Sequence, residues 1–462
     1  MLNPTFEFDL DLIRRLDRNG PRYTSYPTAD RFAEFFGADA YASWVAKRNI
    51  GGVRRALSLY VHFPFCSTLC FYCACNKIAT KDRSKGRRYF DYLLREVAMQ
   101  SALFSNERRV EQMHWGGGTP TFHDLDDLAH FFSVLRNSFD FAADGEYSIE
   151  IDPRTIDAAG VASLRVMGFN RLSIGVQDFD PDVQRAVNRV QSEAQTLVVI
   201  EAARREGFKS VNIDLIYGLP RQNLLTFNHT LARVIAARPD RIAVYNYAHL
   251  PARFKPQRRI READLPLPEN KLKLLGLATK QLGAAGYQYI GMDHFARADD
   301  ALSIAQREGR LQRNFQGYST HAECDLLGLG VSSIGQIGPT YSQNHRELDA
   351  YYECIDRGQL PIARGLELTA DDLARRAVIQ SLMCNFTLSK ENIGISYLID
   401  FNDYFKTELL ELDFLVQAGL VEMDEHWITV TPRGRPLVRN VCMVFDAYLP
   451  KANEQQRYSR VI

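Results

Sequence analysis

Four cysteines crowd into YVHFPFCSTLCFYCACNKIAT, and three of them, Cys66, Cys70 and Cys73, stand at Cys-x3-Cys-x2-Cys spacing directly after an apolar run. Three thiolates on one tight loop can each hold a different iron of a [4Fe-4S] cube and leave the fourth iron open. The competing reading is a structural zinc site, which commonly pairs two Cys-x2-Cys hooks. No second hook stands elsewhere in the chain. A ligand at Cys75 would block the open iron, so that cysteine reads as a neighbour of the cluster. Tyr60 and His62 alternate on the run before the loop and therefore face the same side; His62 reads equally well as a core histidine. Tyr72, between the second and third cysteines, is placed to lean over the cluster or a ligand ring, or to pack the loop.

Further polar residues stand at the ends of other apolar runs. HWGGGTPT offers three consecutive glycines, Gly116 to Gly118, followed by Thr119. Glycines there let the backbone approach a ligand that side chains would exclude. IEIDPR presents Glu150, SIGVQDF presents Gln177, VNRVQ presents Arg189 and SVNIDLIYGLP presents Asp214 among apolar neighbours. A buried aspartate is costly unless it is paired or used, and Arg189 is a suitable partner for a carboxylate. IAVYNYAHLP ends at Ala248, either a wall for a ligand or plain strand packing.

Positioning these residues requires strands alternating with crossover helices. Period-two and apolar runs predict strands at Leu57 to Phe63, Gln112 to Trp115, Glu146 to Ile151, Arg171 to Gly175, Ser210 to Ile216 and Arg241 to Tyr247. Amphipathic stretches between or after them include Tyr89 to Phe104, Leu125 to Phe139, Ala194 to Glu206 and Lys271 to Ala285. Because chemistry-bearing residues recur at nearly every strand's C-terminal end and do not gather at one switch point, the expected fold is α/β, a partial (β/α)6 TIM-like barrel. The composition changes near Pro361, where a smaller, mostly helical C-terminal domain with a short hairpin, winged-helix-like, is expected. The expected division is an N-terminal segment 1–50 closing the site, a barrel 51–360 and a C-terminal unit 361–462.

Bulk properties narrow the class. The 462 residues include 46% hydrophobic ones, enough for a full core, and Lys+Arg and Asp+Glu balance at 56 each. That balance gives no electrostatic footprint for nucleic acid. No run of about 18 apolar residues spans a membrane, and the first residues lack the basic start and unbroken apolar stretch of a secretory signal. Eight cysteines, half of them in one loop, point to a metal site in a reducing compartment. A cytoplasmic enzyme is expected.

These motifs resemble the radical S-adenosylmethionine superfamily and, within it, the oxygen-independent coproporphyrinogen III oxidases. The resemblance runs from GPRYTSYPTADRF through the cysteine loop, HWGGGTPT, IEIDPR, GVQDF, NIDLIYGLP and YIGMDHFA to RNFQGY and LGLGVSSIG. It implies one [4Fe-4S] cluster on Cys66, Cys70 and Cys73, two molecules of S-adenosylmethionine, coproporphyrinogen III as substrate and a flavodoxin- or ferredoxin-like low-potential electron donor. It implies cofactor contacts from Tyr60, Tyr72, Gly117, Gly118, Thr119, Glu150, Gln177, Arg189, Asp214, Ala248 and Ile334. Catalytic roles fall to Tyr60, Cys75 and Gln316. The Gly20 to Pro27 segment matches a region tied to substrate handling or site closure, and Arg22 and Arg313 are candidates to hold propionates. The stretch STHAECDLLG departs from the family's usual polar residues after RNFQGY; its Cys324 reads as structural. A haem-binding chaperone of the same superfamily is the rival reading, against which Cys75 and GPRYTSYPT argue. The neutral surface suggests a monomer.

Overall fold

The computed structural model describes residues 6–50, 55–105 and 107–449. The expected bounds at residues 1, 51 and 462 lie outside the described residues. Six parallel strands lie side by side in chain order: β1 Leu57–Phe63, β2 Arg109–Gly117, β3 Asp140–Ile151, β4 Arg171–Gln177, β5 Ser210–Tyr217 and β6 Arg241–Asn246. The crossovers carry helices α1 Arg83–Leu103, α2 Leu125–Ser138, α3 Ala158–Met167, α4 Glu193–Arg205 and α5 Leu224–Ala237. An order that never reverses has no switch point, so the sheet curls into a partial barrel.

Alternation explains the curl. Leu57, Leu59 and Val61, Met113 and Trp115, Ile149 and Ile151, Leu172 and Ile174, Ile213 and Leu215, and Ile242 and Val244 are all buried. These outward positions pack beneath the helices. The intervening residues, among them Gln112, His114, Glu146, Ser148, Arg171, Ser173, Asn212 and Asp214, line the lumen.

The sheet extends beyond the six expected strands to twelve. At one edge β6 pairs antiparallel with β8 His294–Arg297, which pairs with β7 Tyr287–Gly291. At the other, β9 Asp325–Leu329 runs parallel to β1, followed by antiparallel β10 Ile334–Ile337, β11 Thr340–Asn344 and β12 Ile362–Glu367. The expected division at residue 360 falls just before β12, because Pro361 marks a loop within the sheet. The helical unit then starts at Ala370. Helices Ala370–Asn385 and Val438–Val444 pack with a three-stranded sheet of Thr387–Ser389, Val421–Met423 and Trp427–Val430.

The N-terminal segment lies across both units. Arg439, itself 2% exposed, donates to the Gly20 carbonyl and, at 2.7 Å, to the Pro21 carbonyl. Tyr23 Oη donates to Asp446 at 3.0 Å, the Ala447 N–H donates to Tyr26 Oη at 3.1 Å, and Arg22 pairs with Asp293 of the barrel.

Glu96 on α1 ties the barrel edge together. It is fully buried and accepts from the Gly330 N–H at 2.7 Å, Tyr351 Oη at 2.6 Å and Asn344 Nδ2 at 2.6 Å. Burial nevertheless lifts its carboxyl from 4.5 to about 7, against the three donors. With the folded value above the unfolded one, its contribution to stability is complete below the unfolded value and is lost as pH rises through about 7. Between those values the group should remove about 3 kcal/mol of unfolding free energy. Urea unfolding at roughly pH 5 and roughly pH 8 measures this; Glu96→Gln should flatten the slope, and an unchanged slope would assign it elsewhere.

Candidate active site

The cysteine loop leaves β1 at Pro64 and returns through a two-residue strand pairing in which Phe65–Cys66 lies parallel to Ile78–Ala79. The end of β2 docks onto it: the Gly118 N–H donates to the Phe63 carbonyl at 2.7 Å and the Thr119 N–H to the Phe65 carbonyl at 2.9 Å. A Cβ on Gly118 would stand 2.8 Å from both carbonyl oxygens, and one on Gly117, whose φ is +113°, would meet the His62 ring at 2.5 Å. The sequence reads these glycines as room for a ligand. Much of that room is taken by the protein's own loop, although both glycines also face the cavity.

That cavity, of about 820 Å³, opens at the C-terminal ends of the strands. It brings together Cys66, Cys70, Cys73, Cys75, Tyr72, Gly117, Gly118, Thr119, Glu150, Gln177, Arg189 and Asp214, separated in sequence and expected together. Thr119 Oγ1 lies 3.4 Å from Cys66 Sγ. Arg189 Nη1 donates to Cys70 Sγ at 3.6 Å, and Arg154 Nη2 approaches the same sulfur at 3.9 Å. Lys77 Nζ donates to the Cys73 carbonyl at 2.9 Å. Burial pushes the Cys66 thiol up to about 11. A hydrogen bond from Cys75 lowers Cys73 to about 6 against burial, with Lys77 assisting.

The carboxylates are held just as firmly. Asp152 receives Arg189 Nη1 at 3.1 Å and Arg154 Nη2 at 2.6 Å. Burial would raise its carboxyl, but the two guanidinium groups hold it below the ordinary range. Glu150 accepts from His114 Nε2 and from the Gly117 N–H, each at 3.1 Å. Burial again opposes ionisation, and these two donors prevail. Asp214 accepts from Asn212 Nδ2 at 2.8 Å and Ser173 Oγ at 3.1 Å, so its expected isolation among apolar groups does not occur: those neighbours point outward. Burial and nearby Glu150 raise it to about 6. Gln177 closes β4 with φ at 70°, a left-handed backbone that a non-glycine residue rarely adopts.

Four of the expected cofactor-binding and catalytic residues stand outside the lining of this cavity, as do Arg22, paired with Asp293, and Arg313, whose guanidinium lies over the Tyr318 ring. Tyr60 stacks on His114, with centroids 6.0 Å apart, and donates to His62 Nδ1 at 3.1 Å. Ile334 opens β10. The Ala248 carbonyl accepts from Gln257 Nε2 at 3.2 Å. Gln316 lines a second space deeper in the barrel. Asp152, Arg154, Lys77 and Gln257 escaped the sequence reading. The charges in IEIDPR stand one and three residues past the strand end at Ile151 and are readable as such. Gln257, which also reaches the Tyr72 carbonyl at 3.2 Å, had no sequence signal because its partners are distant in the chain.

Among the described residues no three histidine, cysteine or acidic side chains close on a single ion position. Four thiols instead rim one cavity, with two guanidinium groups against Cys70 and a hydroxyl against Cys66. Such a donor set suits a multi-iron group that takes one thiolate per iron and carries negative charge.

The profile of the radical SAM superfamily matches residues 60–234, and that of the HemN C-terminal domain matches residues 368–437. The oxygen-independent coproporphyrinogen III oxidase of Pseudomonas aeruginosa is 52% identical, covering 99% of each chain. The enzyme of that name from Escherichia coli is 50% identical, again covering 99% of each. The solved structure of the Escherichia coli coproporphyrinogen III oxidase HemN, a radical SAM enzyme, superposes with a TM-score of 0.92 at 49% identity, covering 96% of this chain and 100% of that one. The chain belongs to the oxygen-independent coproporphyrinogen III oxidases of the radical SAM superfamily.

Proposed function

We propose that the chain converts two propionate side chains of coproporphyrinogen III to vinyl groups by oxidative decarboxylation. The product is protoporphyrinogen IX, on the route to haem, and S-adenosylmethionine is cleaved to methionine and 5′-deoxyadenosine. The observation that carries this reading is the joining of cysteine thiols, guanidinium groups and strand-end carboxylates around one cavity, in a chain about half identical to oxidases of that name along its whole length.

In this reading Cys66, Cys70 and Cys73 hold the [4Fe-4S] cluster. Bound together there and reduced, cluster and S-adenosylmethionine would supply the radical chemistry that oxidises a propionate side chain. The chain's task is to orient, balance charge and exclude water. Arg154 and Arg189, anchored by Asp152, set positive charge beside Cys70, where it would balance the negative charge of a bound cluster. Gly117, Gly118 and Thr119 offer an edge of backbone and hydroxyl for an amino-acid head group. Glu150, both oxygens already oriented, keeps lone pairs for a ribose hydroxyl. Tyr72, Gln177 and Asp214 complete the contacts to one or other of two cofactor molecules, with Tyr60, Ala248 and Ile334 around them. Cys75 sits at the cavity beside the loop, and Gln316 acts on the substrate side.

The same reading assigns residues 1–50 to closure of the site, 51–360 to chemistry and 361–462 to a cap. It takes a monomer in the cytoplasm, reduced by a low-potential flavodoxin- or ferredoxin-like donor. No helix among the described residues is long and apolar enough to cross a membrane.

Anaerobic protein with a reconstituted cluster, reduced and given S-adenosylmethionine and coproporphyrinogen III, should release vinyl product, carbon dioxide and 5′-deoxyadenosine in step. Cys70→Ala should lose the iron-sulfur absorbance and all three products. Cleavage of the cofactor without any decarboxylation would keep the superfamily and reject the substrate.

Glu150→Gln separates a cofactor contact from a packing role. Loss of a hydrogen bond to a charged group costs about 1.5–3 kcal/mol, so kcat/KM for S-adenosylmethionine should fall roughly tenfold to hundredfold. The cluster absorbance should remain. An unchanged kcat/KM would remove Glu150 from the cofactor shell.

A further inference from the structure

Beneath the cofactor cavity the lumen continues as a smaller space of about 130 Å³, sharing Glu150, Ser173, Asp214 and Tyr245 with the space above. Its far end is lined by Arg171 of β4, Arg241 of β6 and His294 of β8, with Gln316 and Tyr318 closing one side. Each arginine spends only part of its guanidinium on a carboxylate. Arg171 Nη2 meets Glu146 at 3.0 Å, and Arg241 Nε reaches both oxygens of Asp300 at 3.0 Å. Arg171 Nη1, Arg241 Nη2 and His294 Nδ1 are buried with no hydrogen-bond partner in the protein. Buried polar nitrogens of this kind are ordinarily satisfied, and an orphaned one is costly. Three converging on one small space mark a place built for a guest that accepts hydrogen bonds.

The guest's shape follows from the volume. Sites for whole cofactor-sized ligands span about 300–1,000 Å³, so this space takes an arm and not a ring system or a nucleoside. Guanidinium forks favour a planar carboxylate. Resting on the proposed function, where the substrate carries four propionates on a macrocycle, we propose that Arg171, Arg241 and His294 form a carboxylate-binding floor that receives one propionate arm of the tetrapyrrole. Anchoring one arm at the floor places the macrocycle toward Glu150 and Asp214, where the two spaces join. Recognition of the charged arm then sets which part of the ring faces the cofactor. Gln316, already tied to the substrate side, lines the same space.

The test removes the fork without stranding its partner. The double variant Arg241→Gln, Asp300→Asn deletes the Arg241 and Asp300 charges together, and His294→Phe keeps ring volume beside Tyr245 and Tyr318 while deleting the donor. Cluster absorbance and thermal midpoint report the fold of both. Anaerobic titration and steady-state assays with coproporphyrinogen III should show its Kd and KM raised roughly tenfold or more in the double variant. The KM for S-adenosylmethionine should stay within about twofold. The tetramethyl ester of coproporphyrinogen III should bind the wild-type protein weakly, and the variants should no longer prefer the acid over the ester. Unchanged Kd for the acid in both folded variants would overturn the floor. A rise confined to the KM for S-adenosylmethionine would overturn the propionate and give the carboxylate to the cofactor's methionyl end. Wild-type protein that never turns over coproporphyrinogen III would instead fail the parent reading, so the two failures are distinguishable.

Discussion

Everything in this structure depends on how six parallel strands divide their two faces. A parallel strand in an α/β fold is commonly apolar on both sides, yet here only the outward positions are. Ile149, Ile174 and Ile213 are buried on the helix side, while Glu150, Ser173 and Asn212, adjacent in sequence, face the lumen. A lumen lined this way must satisfy its own polar groups. Gln112 donates to Glu146, Glu146 pairs with Arg171, His114 bridges Ser148 and Glu150, and Asn212 bridges Ser173 and Asp214. Such a network fixes side-chain directions more sharply than apolar packing does. The barrel thus places carboxylates and cations at defined heights along its axis, open at the end where the cysteine loop lies.

The loop is held by close backbone approach more than by side chains. Two carbonyls of the β1 exit receive the N–H groups of Gly118 and Thr119, which is possible only because no Cβ intervenes at Gly118. The contact locks the relative position of Cys66 and Thr119, and Arg189, reaching from beyond β4, fixes Cys70 through Asp152. Charge and geometry around the cysteines are therefore fixed by the protein's own contacts, and preorganisation of this kind avoids a reorganisation cost during chemistry.

Much of this was legible in the sequence because period and spacing are local. The six parallel strands, the helices between them and the cysteine loop follow from alternation, amphipathic spacing and one short motif. The six further sheet strands did not. Several are four or five residues long, and Asp325–Leu329 and Thr340–Asn344 are buried throughout, so they show no alternation. At the site, residues carried by a motif were found, including Glu150, Arg189 and Asp214. Asp152 stands beside Glu150 with Arg154 two residues on, but only the fold brings Arg189, 37 residues away, onto the same carboxylate. Gln316 was tied to the substrate by resemblance, and its depth in the lumen follows from contacts with Ser58 and the Leu59 carbonyl that no local pattern encodes.

The same distinction governs the closure of the molecule. GPRYTSYPT has no amphipathic period that would make it fold alone. Its order comes from both flanking units. The C-terminal helix offers Arg439 to two successive carbonyls, the turn after it offers Asp446 and the Ala447 N–H, and the barrel offers Asp293 to Arg22. Tyr23 and Tyr26 are almost fully buried by these contacts. Displacing the segment would expose both tyrosines and leave Arg439 and Asp293 without these contacts, at a cost of several hydrogen bonds at once. A segment held by two units is anchored more firmly than a loop held at one end. The C-terminal unit therefore pins the segment that borders the barrel, through Arg439, Asp446 and the Ala447 N–H.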